Sequence, residues 1–134
     1  MLRRIHHLNF VVKDLHDAVK RYSRTFSLDE WLYDEHPRRP VLTARAKIGE
    51  SWLVLVQPLD TESPPARHLE EHGEGFFLVS FEVDNINAAL EQAEMSGAAL
   101  IDREARSGIL NWQVADLKLE QGNGARLQLV EEKK

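Results

Sequence analysis

The chain has 134 residues, of which 43% are hydrophobic and 29% are charged, the composition of an ordinary globular domain. Its net charge of -5 argues against a nucleic-acid partner, because phosphate groups are bound by concentrated lysine and arginine. No apolar run approaches the ~20 residues that span a membrane, no signal-peptide pattern is present, and the lack of cysteine excludes disulfides and thiolate ligands. We therefore expect one domain located in the cytoplasm, without a membrane or nucleic-acid partner.

The first half of the chain predicts a strand, a helix and three further strands. Residues 5–12 alternate as a strand does, and Asp14 then caps a helix whose apolar residues recur at helical spacing. Two prolines place the segment 36–40 in a loop, since proline removes a backbone donor and restricts its predecessor. The three further strands are predicted at residues 28–35, 41–48 and 51–57. A linker at residues 60–65 and a short helical turn at residues 66–72 follow.

The second half repeats the same order of elements. A strand is predicted at residues 76–83, and a helix capped by Asp84 or Asn85 follows it. The remaining strands are predicted at residues 98–103, 111–117 and 126–131. A repeated unit indicates two copies paired around a shared site. When the first strands of the two copies are overlaid, His7 falls on Leu78, so a residue able to bind a metal corresponds to one that cannot.

Strand alternation predicts two faces for the first and last strands of these units. The face that packs on the helices is expected to carry the apolar residues Leu8, Phe10, Val12, Phe77, Val79, Phe81 and Val83. His6 is expected on that side or in solvent. The opposite face is expected to carry His7, Asn9, Leu78, Ser80, Glu82, Arg126 and Gln128. Its mixture of polar and apolar side chains is typical of a ligand cleft.

Five short segments in sequence order resemble the vicinal oxygen chelate superfamily, which includes glyoxalase I, bleomycin-resistance proteins, extradiol dioxygenases and methylmalonyl-CoA epimerase. The resemblance is nearest to the epimerase branch. The segments are residues 12–15 (VKDL), 57–60 (QPLD) followed by Ser63-Pro64, 73–75 (GEG), 81–84 (FEVD) and 127–131 (LQLVE). The resemblance implies an α+β fold, in which two βαβββ modules form a curved mixed sheet around a cleft, and a homodimer. Residues 1–134 would form one domain, with module 1 at about 1–60, a linker at about 60–74 and module 2 at about 75–131.

The same resemblance implies four positions for the ligands of a divalent metal in the cleft. They fall on His7, Val54, Leu78 and Gln128, so two positions hold aliphatic side chains and a third holds a neutral amide. A catalytic metal site keeps about three protein ligands. We therefore expect no metal cofactor, and His7 and Gln128 would be the only ligands of a weak residual site. Family epimerases also have acidic residues before the third strand for proton abstraction, where this chain has Pro37-Arg38-Arg39.

Our leading hypothesis is a superfamily member that binds a small organic molecule in its cleft, with the metal site degenerate. The residues expected to bind this ligand are His7, Asn9, Val54, Leu78, Ser80, Gln113, Arg126 and Gln128, with Gln113 or Arg126 near the rim. The aliphatic Val54 and Leu78 favour a flat or acyl-bearing ligand over a small diacid.

Two other functions stay open at this point, and whether the protein is an enzyme is undecided. The chain could be a metal-dependent lyase, an isomerase of the glyoxalase or epimerase type, or a dioxygenase, with ligands shifted by a residue or two and Zn, Co, Mn, Ni or Fe as the metal. Glu82, Glu120 or Glu131 would then replace the missing carboxylate, because a one-residue slip exchanges the faces of a strand. Alternatively, the cleft is vestigial and the protein is an interaction module.

Overall fold

In the computed structural model, which describes residues 1–134, eight strands form a single mixed sheet with three helices around it. The strands are β1 (Leu2–Val11), β2 (Leu32–Glu35), β3 (Val41–Ile48), β4 (Ser51–Pro58), β5 (Gly75–Val83), β6 (Arg106–Ser107), β7 (Trp112–Asp116) and β8 (Arg126–Glu132). The helices are α1 (Leu15–Phe26), α2 (Pro64–His72) and α3 (Ile86–Met95), and a 3-10 turn spans Leu119–Gly122. None of the three helices is both long enough and apolar enough to cross a membrane.

The sheet order is β2-β3-β4-β1-β5-β8-β7-β6, so the first strands of the two units lie side by side at its centre. Within each unit the first and last strands are parallel, β1 with β4 and β5 with β8, and the other pairs are antiparallel. Each unit therefore has the predicted βαβββ order, with α2 inserted between the units. The two halves are joined by antiparallel pairing between β1 and β5.

Each helix begins at a side-chain cap that satisfies a free backbone N–H. The carboxylate of Asp14 accepts from the N–H of Asp17 at 3.0 Å, which confirms the predicted cap of α1. Asn85, rather than Asp84, caps α3 by accepting from the N–H of Ala88 at 3.0 Å. Helix α2 begins at Pro64, two residues before the predicted turn, because the hydroxyl of Ser63 provides a cap and proline suits the first helical turn.

Two apolar clusters hold α1 and α3 against one face of the sheet. The cluster under α1 consists of Val12, Leu15, Ala18, Ala44 and Leu55. The cluster under α3 consists of Val83, Ile86, Ala89, Leu90, Ala115 and Leu129. Burial of each larger side chain in these clusters contributes roughly 1.5–3 kcal/mol. Because neighbouring side chains in a strand point to opposite faces, the residues between these core positions face the other side of the sheet.

The prediction of a strand at residues 98–103 is wrong. Only Leu100 pairs there, in an isolated bridge to Leu117, and the sixth strand is instead Arg106–Ser107. The backbone turns at Asp102, whose carboxylate accepts from the N–H of Asp116 at 2.8 Å. The second strand also begins later than predicted, at Leu32, because the chain is still closing the end of α1 through the bond from the N–H of Leu28 to the carbonyl of Ser23.

Candidate functional site

The central strand pair has three register shifts, and those at His6 and Phe77 decide which side chains near the site reach the face of the sheet away from α1 and α3. In β1, Ile5 pairs with Phe81 and His7 pairs with Ser80, so His6 is an extra residue. In β5, the extra residue is Phe77. Both side chains are buried, at 0% and 5% exposure. The prediction that His6 lies on the helix side or in solvent is therefore wrong, because the bulge displaces the alternation of the strand and brings the His6 ring to 4.6 Å from the Trp112 ring, between centroids. Phe77 likewise leaves the face covered by α1 and α3, and the helix it packs against is α2, through His68 and Leu69.

A cavity of about 70 Å³ lies against this face of the sheet. Five of the eight residues predicted to bind a ligand line it: His7, Asn9, Val54, Leu78 and Gln128. The sequence did not single out its other polar lining residues, which are His36, Arg39, Thr43 and Arg106, and aromatic walls come from Trp112 and Phe77. Trp112 stacks on the imidazole of His7 with ring centroids 4.8 Å apart.

The other three predicted residues do not line this cavity. Ser80 is fully buried within the sheet, paired with His7 on one side and Gln128 on the other. Gln113 lies between Trp112 and Val114, which both face the cavity, so its side chain points to the other face. Arg126 lies outside, with its guanidinium 5.1 Å from the centroid of the Phe77 ring.

Outside this inner cavity lies an open groove of about 650 Å³. Its walls come from α2, the segment 73–77 and the residues before β8, and Arg126 is one of them. Phe77 lines both the inner cavity and the outer groove, so its ring stands between the two spaces.

The two adjacent histidines form a hydrogen-bonded chain that runs from the cavity to Glu132. Nδ1 of His7 lies 2.8 Å from Nδ1 of His6, and Nε2 of His6 lies 2.5 Å from a carboxylate oxygen of Glu132. Burial lowers the pKa of His6, although Glu132 opposes this effect, and burial together with His6 lowers the pKa of His7 to about 3. Both rings are therefore neutral at pH 7.

The hydrogen bonds from His7 through His6 to Glu132 also fix the tautomer of each ring. A carboxylate only accepts hydrogen bonds, so Nε2 of His6 carries the proton and its Nδ1 is an acceptor. Nδ1 of His7 must then donate to His6, which leaves Nε2 of His7 with a lone pair. The imidazole of His7 consequently presents an acceptor.

A buried carboxylate orients Gln128 on the neighbouring strands. Asp116, which is 3% exposed, accepts from Nε2 of Gln128 at 2.9 Å. Its other oxygen lies 3.3 Å from the guanidinium groups of Arg106 and Arg126. Because the amide nitrogen of Gln128 faces Asp116, its oxygen Oε1 is turned towards the ring of His7, whose pKa it acts to raise, and it makes no hydrogen bond of good geometry there.

Three basic side chains surround the mouth of the cavity: His36 and Arg39 from the loop between β2 and β3, and Arg106 from β6. Burial and the two arginines lower the pKa of His36 to about 4, so the ring is neutral at pH 7. Its Nδ1 accepts from the N–H of Arg38 at 3.1 Å. The sequence identified residues 36–40 only as a loop; its one hint of a site was a pair of arginines enclosed by two prolines.

A group of potential metal ligands lies beside the cavity. Ligand atoms of His6, Glu82 and Glu132 lie within 4.8 Å of one another. The guanidinium of Arg4 already donates to Glu82 at 2.8 Å and lies 3.6 Å from Glu132. Of the other two carboxylates considered for a shifted register, Glu131 accepts from the N–H of Ile86 at the start of α3, and Glu120 is exposed on the 3-10 turn.

Comparison with known proteins places this chain in a family. Residues 6–115 match the family model described as the Glyoxalase/Bleomycin resistance protein/Dioxygenase superfamily. The chain belongs to this superfamily. Curated superfamily relatives include an ethylmalonyl-CoA/methylmalonyl-CoA epimerase of Cereibacter sphaeroides, which is 26% identical over 131 residues, with 96% of this chain and 98% of the relative covered. An uncharacterized protein of Bacillus subtilis is 26% identical over 132 residues, with 98% and 94% covered.

Solved structures show the same superfamily fold. A hypothetical protein of Bacillus halodurans superposes with a TM-score of 0.92 at 27% identity, covering 98% of this chain and 95% of that one. A methylmalonyl-CoA epimerase of Streptomyces coelicolor, solved with 2-nitronate-propionyl-CoA, superposes with a TM-score of 0.93 at 24% identity, covering 100% of both chains. The resemblance to the vicinal oxygen chelate superfamily and its epimerases is thus confirmed, and so is the α+β fold with a curled mixed sheet.

Proposed function

We propose that this superfamily member binds a small organic molecule in the inner cavity without a metal ion. The observation that carries the proposal is the position of Val54 and Leu78. Both line the cavity, both are 3% exposed, and neither has an atom that can coordinate a metal. Beside them His7 offers one imidazole nitrogen and Gln128 one neutral amide oxygen, a set with no carboxylate and fewer strong donors than the ~3 ligands of a catalytic site.

The size and walls of the cavity support a ligand with a small apolar part. A volume of about 70 Å³ is far below the ~300–1,000 Å³ of pockets that take drug-sized ligands. Between Val54, Leu78 and Trp112 the cavity therefore suits a short acyl chain or one flat ring. The related epimerases are named for acyl-CoA thioesters, and the outer groove beyond Phe77 is open to a larger remainder of such a ligand.

A second candidate is a metal-dependent lyase or isomerase that uses His6, Glu82 and Glu132. The short distances within this group favour it. Against it, these three residues do not line the cavity, and the guanidinium of Arg4 already contacts both carboxylates. A cation would have to displace that guanidinium, so the metal-free function has the stronger support.

Titration calorimetry with Zn²⁺ and Co²⁺ on the chelator-treated protein tests the proposal. We expect neither ion to bind the wild-type chain tightly and stoichiometrically. His7→Ala and His6→Ala are titrated in parallel, to show which histidine any bound ion requires. Tight binding that His7→Ala abolishes would overturn the proposal. Tight binding that His6→Ala abolishes and His7→Ala spares would instead establish the second candidate.

A thermal-shift screen with small organic molecules tests the ligand. Molecules that stabilise the wild-type protein should lose their effect in Leu78→Trp, which fills the cavity. Lys118→Gln, an exposed change away from it, should behave as the wild type does. A broad panel without any stabilising molecule would favour the interaction module.

We also propose that the protein is a homodimer. Leu2, Ile5 and Ile48 expose large apolar side chains at one end of the central strands, and such surfaces are commonly covered by a partner subunit. Light scattering should then give about twice the 15.4 kDa of the chain.

A further inference from the structure

We propose that the ligand of the inner cavity is a small hydroxy acid, with its carboxylate at Arg39 and its hydroxyl group at Gln128. This assignment rests on the proposed function and names the class of molecule that the cavity takes. It is carried by the distribution of unpaired polar atoms: hydrogen-bond donors surround the mouth, and acceptors occupy the inner end.

The mouth of the cavity holds an arginine that has no anionic partner. The guanidinium of Arg39 is half-buried and forms no hydrogen bond or ion pair within the chain, whereas Arg106 and Arg126 both contact Asp116. Burial and the nearby Arg106 lower the pKa of Arg39, which is the signature of a cation that lacks close compensation. The planar guanidinium fits a carboxylate through two parallel hydrogen bonds, so a carboxylate is the group it matches best.

Two further donors lie beside Arg39. Because Nδ1 of His36 accepts from the N–H of Arg38, the proton of this neutral ring lies on Nε2, which can donate. The Nε of Arg106 is buried and has no acceptor. A buried donor without an acceptor is unfavourable, because it has given up its hydrogen bonds to water. No carboxylate of the chain lines the cavity, so a ligand carboxylate would supply an acceptor that the protein itself does not.

The inner end of the cavity has the opposite polarity. Oε1 of Gln128 and Oδ1 of Asn9 are buried acceptors without a donor, the tautomer of His7 presents a further lone pair on Nε2, and the buried hydroxyl of Ser80 has no partner either. A second carboxylate would add acceptors to this end, which disfavours a diacid. A ligand hydroxyl donates one hydrogen bond, and we assign it to Oε1 of Gln128. Between the two ends, Val54 and Leu78 provide an apolar wall for a short carbon chain.

The test uses three probes that differ in one group each: 3-hydroxybutyrate, its amide 3-hydroxybutyramide, and butyrate, which lacks the hydroxyl. Affinities come from NMR titration of the wild-type protein and of variants. We expect 3-hydroxybutyrate to bind ~10-fold or more tightly than the amide, because it alone makes a charge-assisted contact with Arg39. We expect it to bind several-fold more tightly than butyrate, which leaves Gln128 unpaired.

The variants assign each preference to its residue. Arg39→Gln should abolish the preference for the acid over the amide and keep the preference for the hydroxyl. Gln128→Met should do the reverse, because it keeps the shape of the side chain without its acceptor. Arg38→Gln is the matched control, since Arg38 lies in the same loop but is exposed and outside the cavity, and it should change neither preference.

The outcomes separate this inference from the proposed function. Equal binding of the acid and the amide by the wild-type protein overturns the assignment of Arg39, while the cavity remains a small-molecule site. The assignment is also overturned if none of the three probes binds and a neutral molecule from the screen does. If none of the three probes and no molecule in the screen binds, the inference and the proposed function are both overturned.

Discussion

Replacing Asp116 with asparagine should destabilise the protein by about 2–3 kcal/mol. The carboxylate makes three contacts, with Gln128, Arg106 and Arg126, and hydrogen bonds to charged groups contribute about 1.5–3 kcal/mol each. The loss is smaller than the sum of three such contributions, because both arginine contacts are long, at 3.3 Å, and the arginine side chains are 24% and 19% exposed. Water can therefore replace part of the hydrogen bonding of the two arginines. Asparagine can keep the buried bond to Gln128 only by turning its NH2 group towards Arg106 and Arg126, so the expected effect comes from the lost negative charge and from donors that then face one another.

Urea unfolding followed by circular dichroism measures this change, and the melting temperature should fall by roughly 6–9 °C, at about 3 °C per kcal/mol for a domain of this size. Asp29→Asn is the control, since Asp29 is exposed and makes no hydrogen bond through its side chain, and it should change the stability by less than ~0.5 kcal/mol. If Asp116→Asn unfolds at the same urea concentration as this control, the buried carboxylate does not hold the inner end of the cavity together.

Three further predictions follow from the buried side chains of the site. Lowering the pH from 6.5 to 3 should remove ~4 kcal/mol of stability, because His7 takes up a proton at its ordinary pKa when unfolded but has a pKa of about 3 when folded. The urea midpoint, measured across this pH range, should depend less steeply on pH in His7→Gln than in the wild type. An equal dependence in the two proteins would contradict the assignment of this effect to His7. Combining Leu78→His with Gln128→Glu should create Co²⁺ binding, detected by visible absorbance, whereas a colourless protein would show that the cavity cannot hold an ion even with donors supplied. Leu55→Ala should lower the free energy of unfolding in urea by ~3–5 kcal/mol and leave ligand affinity unchanged. Leu78→Ala, beside an existing cavity, should lower the free energy of unfolding by less and should alter ligand affinity. A larger loss of stability in Leu78→Ala than in Leu55→Ala would contradict the packing described.

The strand alternation of the sequence predicted much of the cavity-facing surface, but it could not predict the bulges. His7 and Leu78 lie where a period of two places them. His6 and Phe77 do not, because a bulge depends on how two distant strands pair, and that information is not present in either strand alone. Gln113 was assigned to the cleft for its polarity, although the apolar residues on both sides of it already indicated the opposite face.

The residues at the mouth of the cavity were beyond the reach of sequence patterns for a different reason. His36 and Arg39 lie in a loop without periodicity, and their position is set by contacts with the second half of the chain, as the influence of Arg106 on both side chains shows. The aliphatic residue at one expected metal-ligand position, by contrast, is visible in the sequence, because aligning the two repeats pairs His7 with Leu78.

Phe77 lies between the small inner cavity and the much larger outer groove, and it lines both. Replacing Phe77 with alanine should join these two spaces into one longer channel, and the protein should then bind longer molecules than the wild type does, with the polar side chains at both ends unchanged.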